Sequence, residues 1–246
     1  MRIALQPSYV LHSRPYRDSS AILEVFTAEH GRISLVARGA RRQAKRGSRA
    51  GLLQPFTPLL MSFSGRSELR TLGTVEAAGQ PWNLNGQRMF SGMYLNELLV
   101  RLLHRHDAHP QLFAAYGEAI KALAQPGTPD AVLRRFELTL VQEMGYDLAL
   151  GVDADTGNVL EAGQFYRFEP GQGLVVAGQG DRLGSGRYPA EHLLLMARGE
   201  YGGEAGRTAK HLLREVLGEH LGDAPLRSRE LFQARQNRSA DTGVST

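Results

Sequence analysis

The sequence predicts an α+β protein with more than one domain, in which a small five-stranded β-barrel precedes a helical domain with an irregular β excursion. Three observations predict it. Apolar residues alternate with a period of two in residues 1–80, the period changes to 3.6 after Pro81, and residues 146–188 contain nine glycines. The chain has 246 residues, 42% of them apolar, which is enough to bury a core without disulfide bonds.

The first 80 residues contain five segments rich in β-formers, separated by turn residues. The second and third segments flank a short turn at Ala28–Gly31 and form a hairpin. Pro55 and Pro58 near the fourth segment favour an edge or bulged strand there. Their number and spacing fit a barrel of the oligonucleotide/oligosaccharide-binding (OB) type. The predicted strands are Leu5–Ser13, Ala21–Thr27, Arg32–Ala37, Phe56–Phe63 and Leu69–Glu76.

The helical domain, residues 81–235, contains three apolar stripes at helical spacing. Thr128 and Pro129 predict an N-cap and first helical position for the third helix. The stripes are Leu95, Leu98, Leu99, Leu102 and Leu103; Leu112, Phe113, Tyr116, Ile120 and Leu123; and Val132, Leu133, Phe136, Leu140, Val141 and Met144. The predicted remainder is the Gly-rich β excursion 146–188, a helix at Ala190–Arg198, a long helix from about Gly206 to Gly222, a short turn at Ser228–Phe232 and a disordered tail, 236–246.

Positive charge is concentrated at the N-terminus. Residues 1–80 hold 12 Lys or Arg and 5 Asp or Glu, and no carboxylate lies between Glu29 and Glu68. Six cations within residues 38–49 repel one another, so residues 38–51 are expected to form a mobile loop. The loop is either a solvated run without a partner or a contact for a polyanion such as a nucleic-acid backbone. The candidate nucleic-acid contacts are Arg32, Arg38, Arg41, Arg42, Lys45, Arg46, Arg49 and Arg66.

The residues of several catalytic and cofactor sites are missing from the sequence. The absence of cysteine excludes disulfides, thiolate zinc sites, iron–sulfur clusters and a cysteine nucleophile. No phosphate-binding loop and no Gly-x-Ser-x-Gly motif occurs. Asp153–Asn158 begins like a calcium loop, but its glycine is displaced, which favours a turn. The basic segment lacks the acids of a metal-dependent phosphoryl-transfer site. We therefore expect binding without catalysis and without a cofactor.

One histidine cluster follows the first long helix. His104, His106 and His109 with Asp107 either hold a metal or, more commonly, complement the helix dipole. The N-terminus has no secretory apolar core, and the longest aliphatic run, Leu193–Ala197, is far shorter than a membrane span. We therefore expect a soluble, cytoplasmic protein.

Six short motifs, in order along the chain, resemble those of the bacterial recombination mediator family RecO. The resemblance implies an N-terminal OB domain for DNA binding, residues 1–80, and a helical domain. It also implies a non-enzymatic, nucleoid-associated protein of RecF-pathway DNA repair, without a membrane. Many members have a four-cysteine zinc site in the region matching residues 150–185, so this sequence resembles the zinc-less branch. The motifs are Tyr16–Ser20, Phe26–Gly31, Val36–Arg42, Tyr94–Leu99, Phe136–Leu138 with Gly145–Tyr146, and Pro225–Phe232.

The resemblance further implies particular partners. Members bind single- and double-stranded DNA and anneal complementary strands. With RecR, they load the RecA recombinase onto strands coated by the single-stranded-DNA-binding protein (SSB). The SSB tail is acidic with an apolar end, so its receptor needs cations beside an apolar pocket. Arg134, Arg135 and Leu138, with Lys121, are our candidates, and a solvated helix face is the alternative.

Other interpretations of the barrel stay open at this point. A basic OB module serves RNA as well as DNA, so an RNA-binding protein of ribosome assembly or translation is an alternative. A phosphoesterase with an unrecognised metal site is a third possibility. The aromatic residues Tyr16, Phe26 and Phe56 are candidates for stacking on bases, although core positions are favoured for Phe26 and Phe56.

Overall fold

The computed structural model describes residues 2–40, 49–146, 148–178, 186–222 and 224–241. The chain divides into two compact units. The first combines residues 1–126 with residues 225–246, and the second comprises residues 127–224. The C-terminal segment thus belongs to the same unit as the barrel.

The N-terminal strands close into a barrel in the order β1-β2-β3-β5-β4, which confirms the predicted five-stranded OB-type barrel. The strands β3 and β5 are parallel, and the other neighbours are antiparallel. Pro55 and Pro58 precede β4, which is bulged between Met61 and Phe63 and, in a closed barrel, is not an edge strand. The strands are β1 Arg2–Tyr16, β2 Ser20–Thr27, β3 Gly31–Ala37, β4 Leu59–Ser64 and β5 Leu69–Ala77.

Side chains that alternate along the strands fill the barrel interior. They include Val10, Leu23, Val25, Ile33, Leu35, Met61 and Phe63, each at most 1% exposed. Phe26 and Phe56 are 0% and 4% exposed, which confirms them as core residues. Burial of aliphatic and aromatic side chains of this size stabilises the unit by about 1.5–3 kcal/mol each.

Four helices complete the first unit: α1 Arg49–Leu52, α2 Gln87–Leu102, α3 Pro110–Ala124 and α7 Arg227–Asp241. The carboxylate of Glu97 on α2 accepts hydrogen bonds from the backbone N–H groups of Arg227 and Ser228, each at 2.9 Å, and so caps α7. We predicted a short turn at Ser228–Phe232 and disorder from residue 236. The chain is instead helical through Asp241, and residues 242–246 lie outside the described residues.

The second unit contains α4 Pro129–Glu143, α5 Ala190–Ala197 and α6 Gly203–Leu221, with α6 packed on α4 and α5. Thr128 is the N-cap residue of α4 and Pro129 follows it, as predicted, although the Thr128 side chain makes no capping hydrogen bond. The Gly-rich segment forms the predicted β excursion, a sheet ordered β7-β6-β8. Its strands are β6 Phe165–Glu169, β7 Gly173–Val176 and β8 Tyr188–Pro189.

The calcium-loop-like segment of the second unit is a turn. The Asp153 carboxylate accepts a hydrogen bond from the backbone N–H of Asp155 at 2.9 Å, and the Asp153 carbonyl accepts one from Gly157 at 2.8 Å. Asp153 therefore closes the turn on itself, as an Asx turn does. Among the described residues, no helix combines the length and apolar character needed to cross a membrane.

Candidate nucleic-acid interface

The outer wall formed by β2 and β3 carries a buried ionic cluster. The Glu24 carboxylate accepts hydrogen bonds from Arg32 at 3.0 Å, Ser34 at 2.6 Å and Arg105 at 3.2 Å. The side chains of Glu24 and Arg32 are only 12% and 13% exposed. Arg32 was among the predicted nucleic-acid contacts, but the structure places its guanidinium in this intramolecular cluster, and we leave it out of the candidate interface.

The chain segment that follows α2 crosses this wall. Arg32 Nε donates to the carbonyl of Leu103 at 3.1 Å, and the backbone N–H of His106 donates to the carbonyl of Arg32 at 3.0 Å. Gly31 has a φ of +60°, and a Cβ on it would lie 2.5 Å from the carbonyl carbon of Asp107. A side chain at position 31 would therefore push residues 103–107 away from the barrel, which explains glycine at the end of the Phe26–Gly31 motif.

Aromatic rings from α3 contact β1 and β2 beside the ionic cluster. Phe26 on β2 lies 5.4 Å from Phe113, and Tyr9 on β1 lies 5.0 Å from Tyr116, between ring centroids. The Tyr116 hydroxyl donates to Asn96 at 2.6 Å in the buried interior. OB folds commonly bind oligonucleotides on the wall of strands 2 and 3. Here Arg105 and His106 of the segment after α2 and Phe113 of α3 occupy part of that wall.

One end of the barrel is rich in exposed arginine. The register pairs Pro15 with Ala21 and Ala21 with Ala37, so the β1–β2 turn and the end of β3 lie at the same end. Three arginines there are exposed: Arg14, Arg17 and Arg38. We call this region the cationic end. Arg14 and Arg17 were missed in the sequence because the candidates were taken from the carboxylate-free stretch between Glu29 and Glu68. The turn residues after Tyr16 were the available signal, because they place Arg14 and Arg17 beside a turn at one end of the barrel.

The predicted basic loop begins at the cationic end, immediately after β3. Its residues Arg41, Arg42, Lys45 and Arg46 lie outside the described residues. The backbone of Arg49 is the first residue of α1. The chain re-enters the barrel as β4 at Leu59, which pairs with Ser8 of β1, the residue that also pairs with Thr27 at the end of β2. The predicted basic loop therefore follows directly from Arg38 of the cationic end, and the chain returns to the barrel at a different part of the wall.

Arg66 is exposed in the turn that joins β4 to β5. The register pairs Ser64 with Thr71 and Thr71 with Val36, so the strands on either side of this turn neighbour the end of β3. Nearby, the Arg70 guanidinium lies 3.3 Å from His106 Nδ1 and 5.6 Å from the centroid of the Phe63 ring. Of the predicted contacts whose side chains the structure describes, Arg38 and Arg66 are exposed, whereas Arg32 belongs to the ionic cluster.

The histidine cluster lies beside the ionic cluster of the wall. Burial, and then the positive charges of Arg70 and Arg105, lower the pKa of His106. His109 Nε2 lies 3.4 Å from the Asp107 carboxylate. In the part of the chain that the structure describes, no group of three or more His, Cys, Asp or Glu side chains is arranged to hold a metal ion.

The predicted receptor for an acidic tail is divided between the two units. Arg134 lies in α4 of the second unit, 6% exposed, with Nη2 2.9 Å from the Glu137 carboxylate. Arg135 is exposed on the same helix and Leu138 is half-buried. Lys121 belongs to α3 of the first unit, where it lies 3.7 Å from Glu118. Only Arg135 and Leu138 therefore combine an accessible cation with an apolar surface within one unit.

Comparison with known proteins accounts for nearly the whole chain. Residues 1–81 match the family model for the N-terminal part of recombination protein O, and residues 84–230 match the model for its C-terminal part. The chain is 48% identical over 175 residues to the DNA repair protein RecO of Nitrosococcus oceani, covering 71% of this chain and 70% of the relative. The RecO of Nitrosospira multiformis is 47% identical over 71% of this chain and 72% of its own length. The chain therefore belongs to the RecO family of DNA repair proteins.

Proposed function

We propose that this protein is a DNA-binding recombination mediator without catalytic activity of its own. It binds single- and double-stranded DNA, pairs complementary strands and, with RecR, helps to load RecA onto strands coated by SSB at the nucleoid. Membership of a DNA repair family supports DNA as the polyanion. The single structural observation that carries the proposal is the cationic end, where Arg14, Arg17 and Arg38 flank the attachment of the basic segment.

The proposed pairing mechanism follows from two surfaces of the barrel, the cationic end and the β2–β3 wall. Complementary strands repel each other through their phosphates, and a dense set of arginines screens that repulsion. Because α3 and the segment after α2 cover part of the β2–β3 wall, they hinder the stacking of bases in a groove there. Strands held by their phosphates at the cationic end keep their bases free to pair, and weak sequence preference follows from contacts to the backbone alone.

A pair of charge-matched variants tests the proposed surface. The test variant replaces four cations with glutamine: Arg41, Arg42, Lys45 and Arg46. The control variant makes the same change in net charge at four exposed cations of the second unit: Arg198, Arg207, Lys210 and Arg214. Fluorescence anisotropy against labelled single strands at several salt concentrations gives the affinity and its salt dependence for each protein.

The expected salt dependence follows from the number of phosphates neutralised. With about 4–6 phosphate contacts, the slope of log K against log salt on single strands is about −3 to −4. We expect the test variant to bind more weakly with a slope closer to zero, and the control variant to match the original protein. Unchanged affinity and slope in the test variant would show that the basic loop does not bind DNA. Annealing of SSB-coated complementary strands, with and without RecR, then measures the proposed activity itself.

We also propose that Arg135 and Leu138 on α4 receive the acidic tail of SSB. Arg135 is exposed and Leu138 is half-buried next to it on the helix, whereas Arg134 is ion-paired in the interior. Titration with an acidic peptide ending in an apolar residue is expected to weaken about tenfold in Arg135→Gln, the equivalent of one charged hydrogen bond of about 1.5 kcal/mol. Arg207→Gln is the control, and equal binding by both variants would exclude this site.

A further inference from the structure

The tip of the β1–β2 hairpin presents an accessible aromatic ring. Tyr16 is the last residue of β1 and is half-buried, and the Arg17 guanidinium lies 5.1 Å from the centroid of its ring. Arg17 has a φ of +52°, in the left-handed region that non-glycine residues seldom adopt. Strained residues of this kind cluster at binding sites. The turn thus holds a planar cation against an aromatic ring at the surface.

Tyr16 differs from the other aromatic residues of the barrel. Among the Phe and Tyr residues described in residues 2–77, Tyr9, Phe26, Phe56 and Phe63 are at most 9% exposed. Their rings fill the interior or contact α2 and α3, so they have no face for a ligand. Of the Phe and Tyr rings described in that range, only the Tyr16 ring is accessible to a partner from solution.

The surroundings of Tyr16 suit a nucleic-acid strand. Arg14, Arg17 and Arg38 are exposed at the same end of the barrel, and Asp18 at the tip is the exposed acid beside them. Arginine side chains bind phosphate and also stack on bases, while a tyrosine ring supplies a stacking surface. The two functions combine when a strand crosses the tip with its phosphates on the arginines and a base against the ring.

We propose that Tyr16 and Arg17 form a stacking site for an unpaired base, by which the protein distinguishes single-stranded from duplex DNA. Bases within a duplex are already stacked on their neighbours, so the ring adds nothing to duplex binding. Phosphate contacts serve both forms equally. The site therefore adds affinity only for single strands, the form on which pairing begins. The inference rests on the proposed DNA binding and assigns its strand selectivity.

The test compares two variants of the full chain on three ligands. Tyr16→Leu removes the aromatic ring but keeps an apolar side chain, and Tyr16→Phe keeps the ring. The ligands are a labelled oligodeoxyadenylate, an abasic strand of the same length and a duplex. Arg14→Gln is a control that removes a phosphate contact without removing the ring, and urea unfolding midpoints confirm that all variants are folded.

Stacking on one aromatic side chain changes affinity by about 5- to 150-fold. We expect Tyr16→Leu to weaken binding of the oligodeoxyadenylate within that range and to leave the abasic strand and the duplex within about twofold. Tyr16→Phe should bind like the original protein, and Arg14→Gln should weaken all three ligands alike. If Tyr16→Leu weakens all three ligands equally or none of them, the stacking site is refuted while DNA binding stands. If the original protein binds none of the three, the proposed function itself fails.

Discussion

Replacing Gly31 with alanine tests how the barrel is joined to the segment that follows α2. Gly31 has a φ of +60°, and an added Cβ would lie 2.5 Å from the carbonyl carbon of Asp107. Carbon atoms in contact are normally about 3.5–4.0 Å apart. Residues 103–107 must therefore move by about 1 Å or more, because the rigid β2–β3 hairpin cannot yield as easily as a loop.

The cost of Gly31→Ala has two parts. The left-handed φ costs a residue with a Cβ about 1–2 kcal/mol. The displacement also weakens the hydrogen bonds from His106 N–H to the Arg32 carbonyl, 3.0 Å, and from Arg32 Nε to the Leu103 carbonyl, 3.1 Å. At about 1 kcal/mol each, these bring the total to about 3–4 kcal/mol. That is a large share of the stability of a typical domain.

Urea unfolding followed by tryptophan fluorescence measures this cost. The chain has a single tryptophan, Trp82, which lies in the first unit, so the signal reports on the unit that contains Gly31. Gly86→Ala is the control, because Gly86 also has a positive φ, +57°, but has open space around its Cβ position. We expect a loss of about 1–2 kcal/mol for the control, from strain alone. Equal losses in the two variants would refute the steric reasoning.

Three further predictions concern the helices of the first unit. Tyr116→Phe removes the hydroxyl that donates to Asn96 and should lower the free energy of unfolding by about 1–3 kcal/mol in the same assay; no change would contradict a buried bond. Gly92→Ala places a Cβ 2.8 Å from the Phe56 ring. We expect the free energy of unfolding to fall by about 1–2 kcal/mol despite the higher helix propensity of alanine, and a more stable variant would contradict this steric argument. Burial opposes ionisation of Glu97, but hydrogen bonds from the start of α7 outweigh it and lower the pKa of the carboxyl group. The ionised carboxylate therefore stabilises the folded unit fully above its ordinary pKa of 4.5, and this stabilisation is lost as the pH falls through the lower pKa of the folded state. Glu97→Gln should remove this dependence from unfolding curves measured between about pH 3 and 6, and an unaltered pH profile would count against it.

The elements that sequence analysis predicted correctly depend on local patterns. The barrel strands follow from alternation, and the start of α4 follows from Thr128 and Pro129. The prediction for the end of the chain was wrong because α7 depends on a distant partner. Its N-terminus is capped by Glu97, about 130 residues earlier in the chain. The sequence of residues 225–241 alone does not reveal that contact.

The candidate site was harder to predict because charge along a sequence does not reveal pairing in space. Arg32 looked available within the carboxylate-free stretch, yet its partner Glu24 lies across the hairpin and Arg105 comes from the segment after α2. Arg17 looked isolated, yet the strand register places it at the same barrel end as Arg38. In both cases the decisive fact is strand pairing, which composition and spacing do not contain.

The covered wall of the barrel bears directly on how a mediator differs from a protein that protects single strands. A protective OB protein gains affinity by stacking many bases in its groove, and bound bases are then unavailable for pairing. Here Phe26 faces α3 and the Glu24 cluster faces the segment after α2, which leaves Tyr16 as the accessible ring among the Phe and Tyr residues described in residues 2–77. In the proposed mechanism, one stacked base and several held phosphates are enough to select a single strand, while its other bases remain free to meet a complement. Adding stacking residues at the cationic end should therefore tighten single-strand binding and slow annealing, and faster annealing in such a variant would contradict this view.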